Sequence, residues 1–122
     1  MKILKTLLIF AAAAFLLSAC EYEWIEPDLP PISDNVSFSA DVLPIFNGGC
    51  NSGACHGAGG TAPDLSEGGA YNALTNGGYI DVDTPEASLI YTSIKTGSMK
   101  SYAKAGDAEI ILAWIKQGAE NN

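Results

Sequence analysis

Two kinds of apolar pattern run along the chain. The first is an unbroken apolar run from Leu7 to Leu17 behind Lys2 and Lys5. Its eleven residues fall short of the about 20 a spanning helix needs, so it reads as an export signal, not a transmembrane anchor. The second begins near Ser37, where short helical stripes are separated by glycine. Ser39 is placed to cap a helix over residues 40–46, with Val42, Leu43 and Phe46 on one face and Pro44 close to the first turn. Ser66 is placed to cap a second helix through Tyr71 and Leu74, stopped by Gly77 and Gly78. Thr84-Pro85-Glu86 carries the start signals of a third, with Leu89, Ile90 and Ile94 as its stripe and Gly97 after its end. The last is the clearest: Asp107 as cap or first-turn acid, Ile110, Ile111, Trp114 and Ile115 on one face, Lys116 near the negative end, Gly118 as the stop. No segment alternates like a strand, so the pattern predicts an all-α fold. Tyr71, Tyr79, Tyr91 and Tyr102 are spread over these elements and are expected as partial core.

The boundaries divide the chain into three parts: 1–19, 20–36 and 37–122. The leader ends Leu17-Ser18-Ala19-Cys20, which resembles the lipobox of bacterial lipoproteins. That resemblance implies that Cys20 becomes an acylated N-terminus, with ordinary cleavage after Ala19 and a free Cys20 as the alternative. From Glu21 to Val36 there are five acids and three prolines with no regular period. These residues read as a tether that, extended, reaches about 50 Å at about 3.1 Å per residue. Trp24 and Ile25 within it are expected at an interface or loosely docked.

Charge narrows the function further. The 122 residues hold six Lys, no Arg and fourteen Asp and Glu, for a formal net charge of −8. Loss of the leader removes Lys2 and Lys5 and leaves a mature chain near −10 at unperturbed pKa values. Such a chain builds no basic face for phosphates, which excludes nucleic acid as a partner. Its reactive inventory is small: a single His, and after loss of Met1 a single Met. About 85 residues in four short helices also make a thin core, of the kind that usually recruits a disulfide, metal or cofactor.

The chemistry concentrates in Cys50-Asn51-Ser52-Gly53-Ala54-Cys55-His56, inside a stretch from Asn47 to Gly60 that holds six glycines. Two thiols followed at once by His have the logic of covalent haem attachment, Cys-x-x-Cys-His, widened by two residues. Each thiol would add across one haem vinyl group and the imidazole would meet the iron. The extra residues would bulge outward at Gly53, with Ser52 and Ala54 beside it. A Cys50–Cys55 disulfide with His56 a bystander is the alternative in an oxidising compartment. Zinc lacks a fourth strong ligand, and a nucleophilic Cys lacks a remote base. Met99 lies 43 residues beyond His56 between Gly97-Ser98 and Lys100-Ser101, a polar loop suited to a thioether that reaches a haem from the distal side. Lys100, Lys104, Tyr102 or an open position are its competitors.

Phe38 to Phe46, Cys50 to Gly57, Ala87 to Tyr91, Met99 and Glu109 to Ala119 occur in an order that resembles the planctomycete-type cytochrome c domain of monohaem c-type cytochromes, over about residues 37–120. The resemblance implies a small class I cytochrome c-like helical fold around one covalently bound haem c. Phe46 and Leu43 of the first helix would then pair with Trp114 and Ile110 of the last. It implies haem thioethers at Cys50 and Cys55, proximal iron ligation by His56 and distal ligation by Met99. The departures are the four-residue gap between the cysteines and Lys100 where the family often has Pro. The function expected is an electron carrier, not an enzyme, lipid-anchored through Cys20 in the cell envelope, on the periplasmic or outer-membrane side. Its redox partner is expected to present a basic docking face. Two other functions stay open: a haem-free lipoprotein interaction module closed by a Cys50–Cys55 disulfide, and a haem sensor or enzyme with an open distal site.

Overall fold

The computed structural model describes residues 31–122 together with Met1, Ile3 and Leu29. The leader run, Cys20, Trp24 and Ile25 lie outside the described residues. Among the described residues the fold is all-α, with four α-helices and no strand: α1 (Leu43–Asn47), α2 (Ala70–Asn76), α3 (Leu89–Lys95) and α4 (Asp107–Lys116). Short turns precede three of them: a π turn at Phe38–Val42 and 3-10 turns at Pro85–Ala87 and Lys100–Tyr102. No helix among the described residues is long and apolar enough to cross a membrane.

The first helix starts earlier than expected and is capped by Ser37 instead of Ser39. The Ser37 hydroxyl accepts the Ala40 N–H at 3.2 Å, and Asp41 Oδ2 accepts the Ser37 N–H at 2.8 Å. These two bonds satisfy orphan donors reciprocally, as a capping box does. Ser39 instead donates both its hydroxyl and its N–H to the main-chain oxygen of Asn122, at 2.8 and 3.0 Å. The turn is wide because Pro44, at the start of α1, has no N–H and crowds the carbonyl four residues back. The Leu43 N–H reaches Phe38 O, five residues back, and the ladder recovers in α1.

The second and third helices start later than the sequence suggests. Ser66 closes a turn in which its N–H meets Asp64 Oδ1 at 2.9 Å, and α2 begins only at Ala70. Thr84-Pro85-Glu86 opens a 3-10 turn, and α3 begins after Ser88. Ser88, 1% exposed, is the buried polar residue of the described chain; its hydroxyl accepts the Asp81 N–H at 2.9 Å and donates to Asp81 O at 3.2 Å.

Helix α4 carries the core. Asp107 is its first residue, and its Oδ2 accepts the Lys104 N–H at 2.7 Å. Its C-terminus closes with Ala119 N–H on Trp114 O and Gly118 N–H on Ile115 O, both 3.0 Å, with Gly118 at φ 99°, a Schellman motif. Ile111, Trp114 and Ile115 are buried, while Ile110 is only partly so. The Trp114 ring meets Phe38 at 5.1 Å between centroids and Tyr71 at 6.4 Å, and Phe38 meets Tyr71 edge-on at 5.3 Å. Phe46 and Leu43, the partners expected for Trp114, are buried in the same core, and the ring contacts of Trp114 are with Phe38 and Tyr71, as α4 packs on the π turn. Val36, at the end of the tether segment, is buried in the same core, its N–H held by Gln117 Oε1 at 2.8 Å.

Candidate functional site

Past α1 the chain winds into a tight loop held almost wholly by its own main chain. Cys50 and Asn51 N–H groups fold back on Phe46 O at 2.9 and 3.1 Å, and His56 N–H bonds Cys50 O at 3.0 Å. Thr61 N–H on Cys55 O and Leu65 N–H on His56 O, both 2.7 Å, bring the following segment against it. Two glycines are sterically required. A Cβ on Gly57 would lie 2.7 Å from Asn51 O, and one on Gly60 would lie 2.5 Å from Cys55 O, closer than atoms pack. Gly53, where the bulge was expected, faces open space. The packing constraint therefore falls after the His, not between the cysteines.

This loop forms one wall of a cleft of about 400 Å³. Cys50, Cys55 and His56 line it, and so does Met99 from the 3-10 turn opposite. All four residues singled out in the sequence as cofactor-binding or ligating therefore meet at one cavity. Cys50 is half-buried and Cys55 exposed, and both thiols are free. Burial pushes the Cys50 thiol above its usual range, with the nearby Asp107 carboxylate and Cys55 adding to the shift. Cys20 lies outside the described residues.

His56 is oriented by two carbonyls. Its Nδ1 stands 3.0 Å from Thr61 O and 3.2 Å from Pro63 O. A carbonyl oxygen only accepts, so Nδ1 carries the proton and donates to both. The tautomer that remains has its lone pair on Nε2, the arrangement of an imidazole prepared to ligate a metal.

Met99 is half-buried and packs against the hydrophobic core, so it has the apolar neighbours that its polar flanking sequence hid. Its N–H donates to Ser93 O at 3.1 Å, and its carbonyl accepts the Tyr102 N–H at 3.0 Å. That bond closes a 3-10 turn in which side chains three apart eclipse, and Tyr102 accordingly lines the cleft beside Met99. Lys100 and Lys104 line a different cavity. Of the side chains weighed for the distal position, Met99 and Tyr102 therefore share the cleft with His56, and the lysines do not.

Helix α3 closes the third side with a division that its sequence conceals. Leu89, Ile90, Ser93 and Ile94 all border the cleft, but Ile90 and Ile94 are buried members of the core while Leu89 stays exposed. Leu89 is 51% exposed and Tyr102 66% exposed. Neither is the core residue that periodicity suggested; both are apolar surface on the cleft itself. Among the described residues no group of three or more His, Cys, Asp or Glu side chains is placed to hold a metal ion. A ligand set here needs the Met99 thioether or a group brought in with the metal.

Comparison with protein-family models, with curated proteins and with solved structures returns no match. The functional reading therefore rests on the residues and the cleft they form.

Proposed function

We propose that this chain is a monohaem c-type cytochrome of the planctomycete-type resemblance described above, an electron carrier with a class I cytochrome c-like fold. One observation carries the reading: Cys50, Cys55, the single histidine and Met99 line one cleft. The donor set fits the group. Two free thiols, an imidazole with an available Nε2 and a thioether line the same cleft, and Leu89 and Tyr102 leave apolar surface there that a porphyrin would cover.

Cys50 and Cys55 would hold haem c through thioethers, His56 Nε2 would take the proximal position and Met99 Sδ the distal one. When bound, haem supplies a one-electron iron couple, whose potential His/Met ligation raises. The rest is the work of the chain. Thr61 O and Pro63 O keep the His56 ring in one tautomer and orientation. The Gly57 and Gly60 contacts hold the loop closed behind it. The half-buried position of Met99 fixes the thioether against the core. With haem bound, side chains held in this way would favour small reorganisation on a change of one electron.

In the cell the proposed carrier is anchored by an acylated Cys20, and its net charge favours a redox partner with a basic face whose association slows as salt rises. The test is expression of the full chain with a haem-attachment system, followed by denaturation and pyridine haemochrome spectroscopy. A c-type spectrum that stays with the polypeptide is expected, and His56→Ala should lose the low-spin signature. A colourless protein with Cys50 and Cys55 joined as a disulfide would sink the proposal and leave the interaction module in its place.

A further inference from the structure

The mature sequence has four lysines against fourteen acids, so a scattered arrangement would leave each lysine among carboxylates. Three of the four are gathered instead. Lys95, Lys100 and Lys104 line one cavity of about 550 Å³ between the end of α3, the turn Lys100–Tyr102 and the start of α4. The fourth, Lys116, is paired with Glu86 at 2.7 Å. Glu109 is the acid in the cavity lining, and it pairs with Lys95. Among the described residues neither Lys100 nor Lys104 has an ion-pair partner. Among the described residues of this lining three ammonium groups stand with one carboxylate, and Lys100 and Lys104 bring two charges with no ion pair, in a chain whose formal charge is −8.

The backbone adds to that potential. Gly106 and Ala108 line the same cavity, so the N-terminal end of the ten-residue helix α4 opens onto it with its partial positive charge. Asp107, the other acid of that turn, accepts the Lys104 N–H and lines a neighbouring cavity that Lys104 also borders, outside the lining described here. Ile94 and Ala103 give the site an apolar floor. The volume falls in the range of small-molecule sites, which combine apolar walls with a few convergent charges.

We propose that this cavity binds a small multivalent oxyanion, a molecule with two or more carboxylate or phosphate groups. Lysines recognise such groups as point charges with rotatable donors, without the planar fork that would select one geometry. Lys100 and Lys104 bracket the turn that carries Tyr102 and follows Met99, and Ile94 lines both this cavity and the cleft. The site is nonetheless separate from the cysteines and His56, and the proposal stands or falls independently of what the cleft holds.

The experiment is an amide NMR titration of the full chain with citrate and, separately, pyrophosphate, each at constant ionic strength against sodium chloride. Saturable shifts are expected at Lys95 and over residues 100–109, with binding at least about tenfold tighter than that of acetate. The double variant Lys100→Gln/Lys104→Gln should weaken binding about tenfold or more, and Lys116→Gln should not. Because neither Lys100 nor Lys104 makes an ion pair, the double variant should keep the parent unfolding midpoint, which separates lost binding from lost fold. Tighter citrate assigns a carboxylate ligand and tighter pyrophosphate a phosphate one. Shifts that follow ionic strength and match chloride, or a double variant that binds like the parent, would overturn the proposal.

Discussion

Leu89→Ala distinguishes a cleft that awaits a cofactor from a surface groove. Leu89 is 51% exposed, whereas Ile94, one turn further along the same helix, is 6% exposed. Full burial of a Leu side chain contributes about 1.5–3 kcal/mol. With half of it already covered, Leu89→Ala should cost the haem-free chain about 1–1.5 kcal/mol. A porphyrin lying in the cleft covers the remainder, so the same substitution should cost the loaded protein about 1 kcal/mol more. Ile111→Ala serves as the control and should cost about 2–5 kcal/mol in both forms, since its side chain is fully buried in α4 and does not line the cleft. The haem-free form is made with Cys50→Ala/Cys55→Ala, and both forms are unfolded in urea at 25 °C under far-UV circular dichroism. Midpoint shifts at unchanged slope then report the two costs. Equal cost of Leu89→Ala in the two forms would refute the reasoning, because it would mean that nothing covers Leu89 when the protein is loaded.

Three further outcomes follow from local features. Ser88→Ala removes the hydroxyl that both accepts from and donates to the Asp81 main chain and should destabilise the chain by about 1–3 kcal/mol, read as a lowered urea midpoint. Glu109 is held below the usual carboxylate range by its hydrogen bond from Lys95; its folded pKa is lowered, so the stability it adds is present above its unfolded value and is lost as pH falls through the folded one. Glu109→Gln should therefore flatten the acid limb of stability against pH below about 4.3, and because the pair is largely exposed the loss at neutral pH should be no more than about 1 kcal/mol. In the parent chain, expressed without haem attachment so that both thiols remain, Cys55 should alkylate with iodoacetamide before Cys50 at pH 8, since Cys50 is half-buried with a raised pKa; mass spectrometry of timed samples gives the order, and equal rates would contradict the burial of Cys50.

Much of the candidate site was legible along the chain because its chemistry is local. Cys50, Cys55 and His56 are close in sequence, and their types and order state what they can bind wherever the loop lies. Met99 was legible by scarcity, as the one methionine besides Met1. Helix class was legible too, since apolar stripes and glycine stops act within a few residues.

What required the tertiary structure were relations between distant segments. Periodicity assigns Leu89 and Ile90 to one stripe, yet only the packing of α3 buries Ile90 and Ile94 while leaving Leu89 exposed along the same cleft. Ser37 and Ser39 are equal as caps in sequence; both hydroxyls donate to the main-chain oxygen of Asn122, more than eighty residues away, and only that of Ser37 also accepts the Ala40 N–H. Trp114 was expected against Phe46 and Leu43, but the π turn before Pro44 presents Phe38 to it. Likewise the three lysines look scattered over residues 95–104 and converge only when α3, the following turn and α4 enclose one cavity. The sequence by itself determined which side chains are available to do chemistry and the helical class of the fold, because composition and spacing act locally. Tertiary packing decided which of those side chains share a surface, because that depends on contacts whose partners lie tens of residues apart.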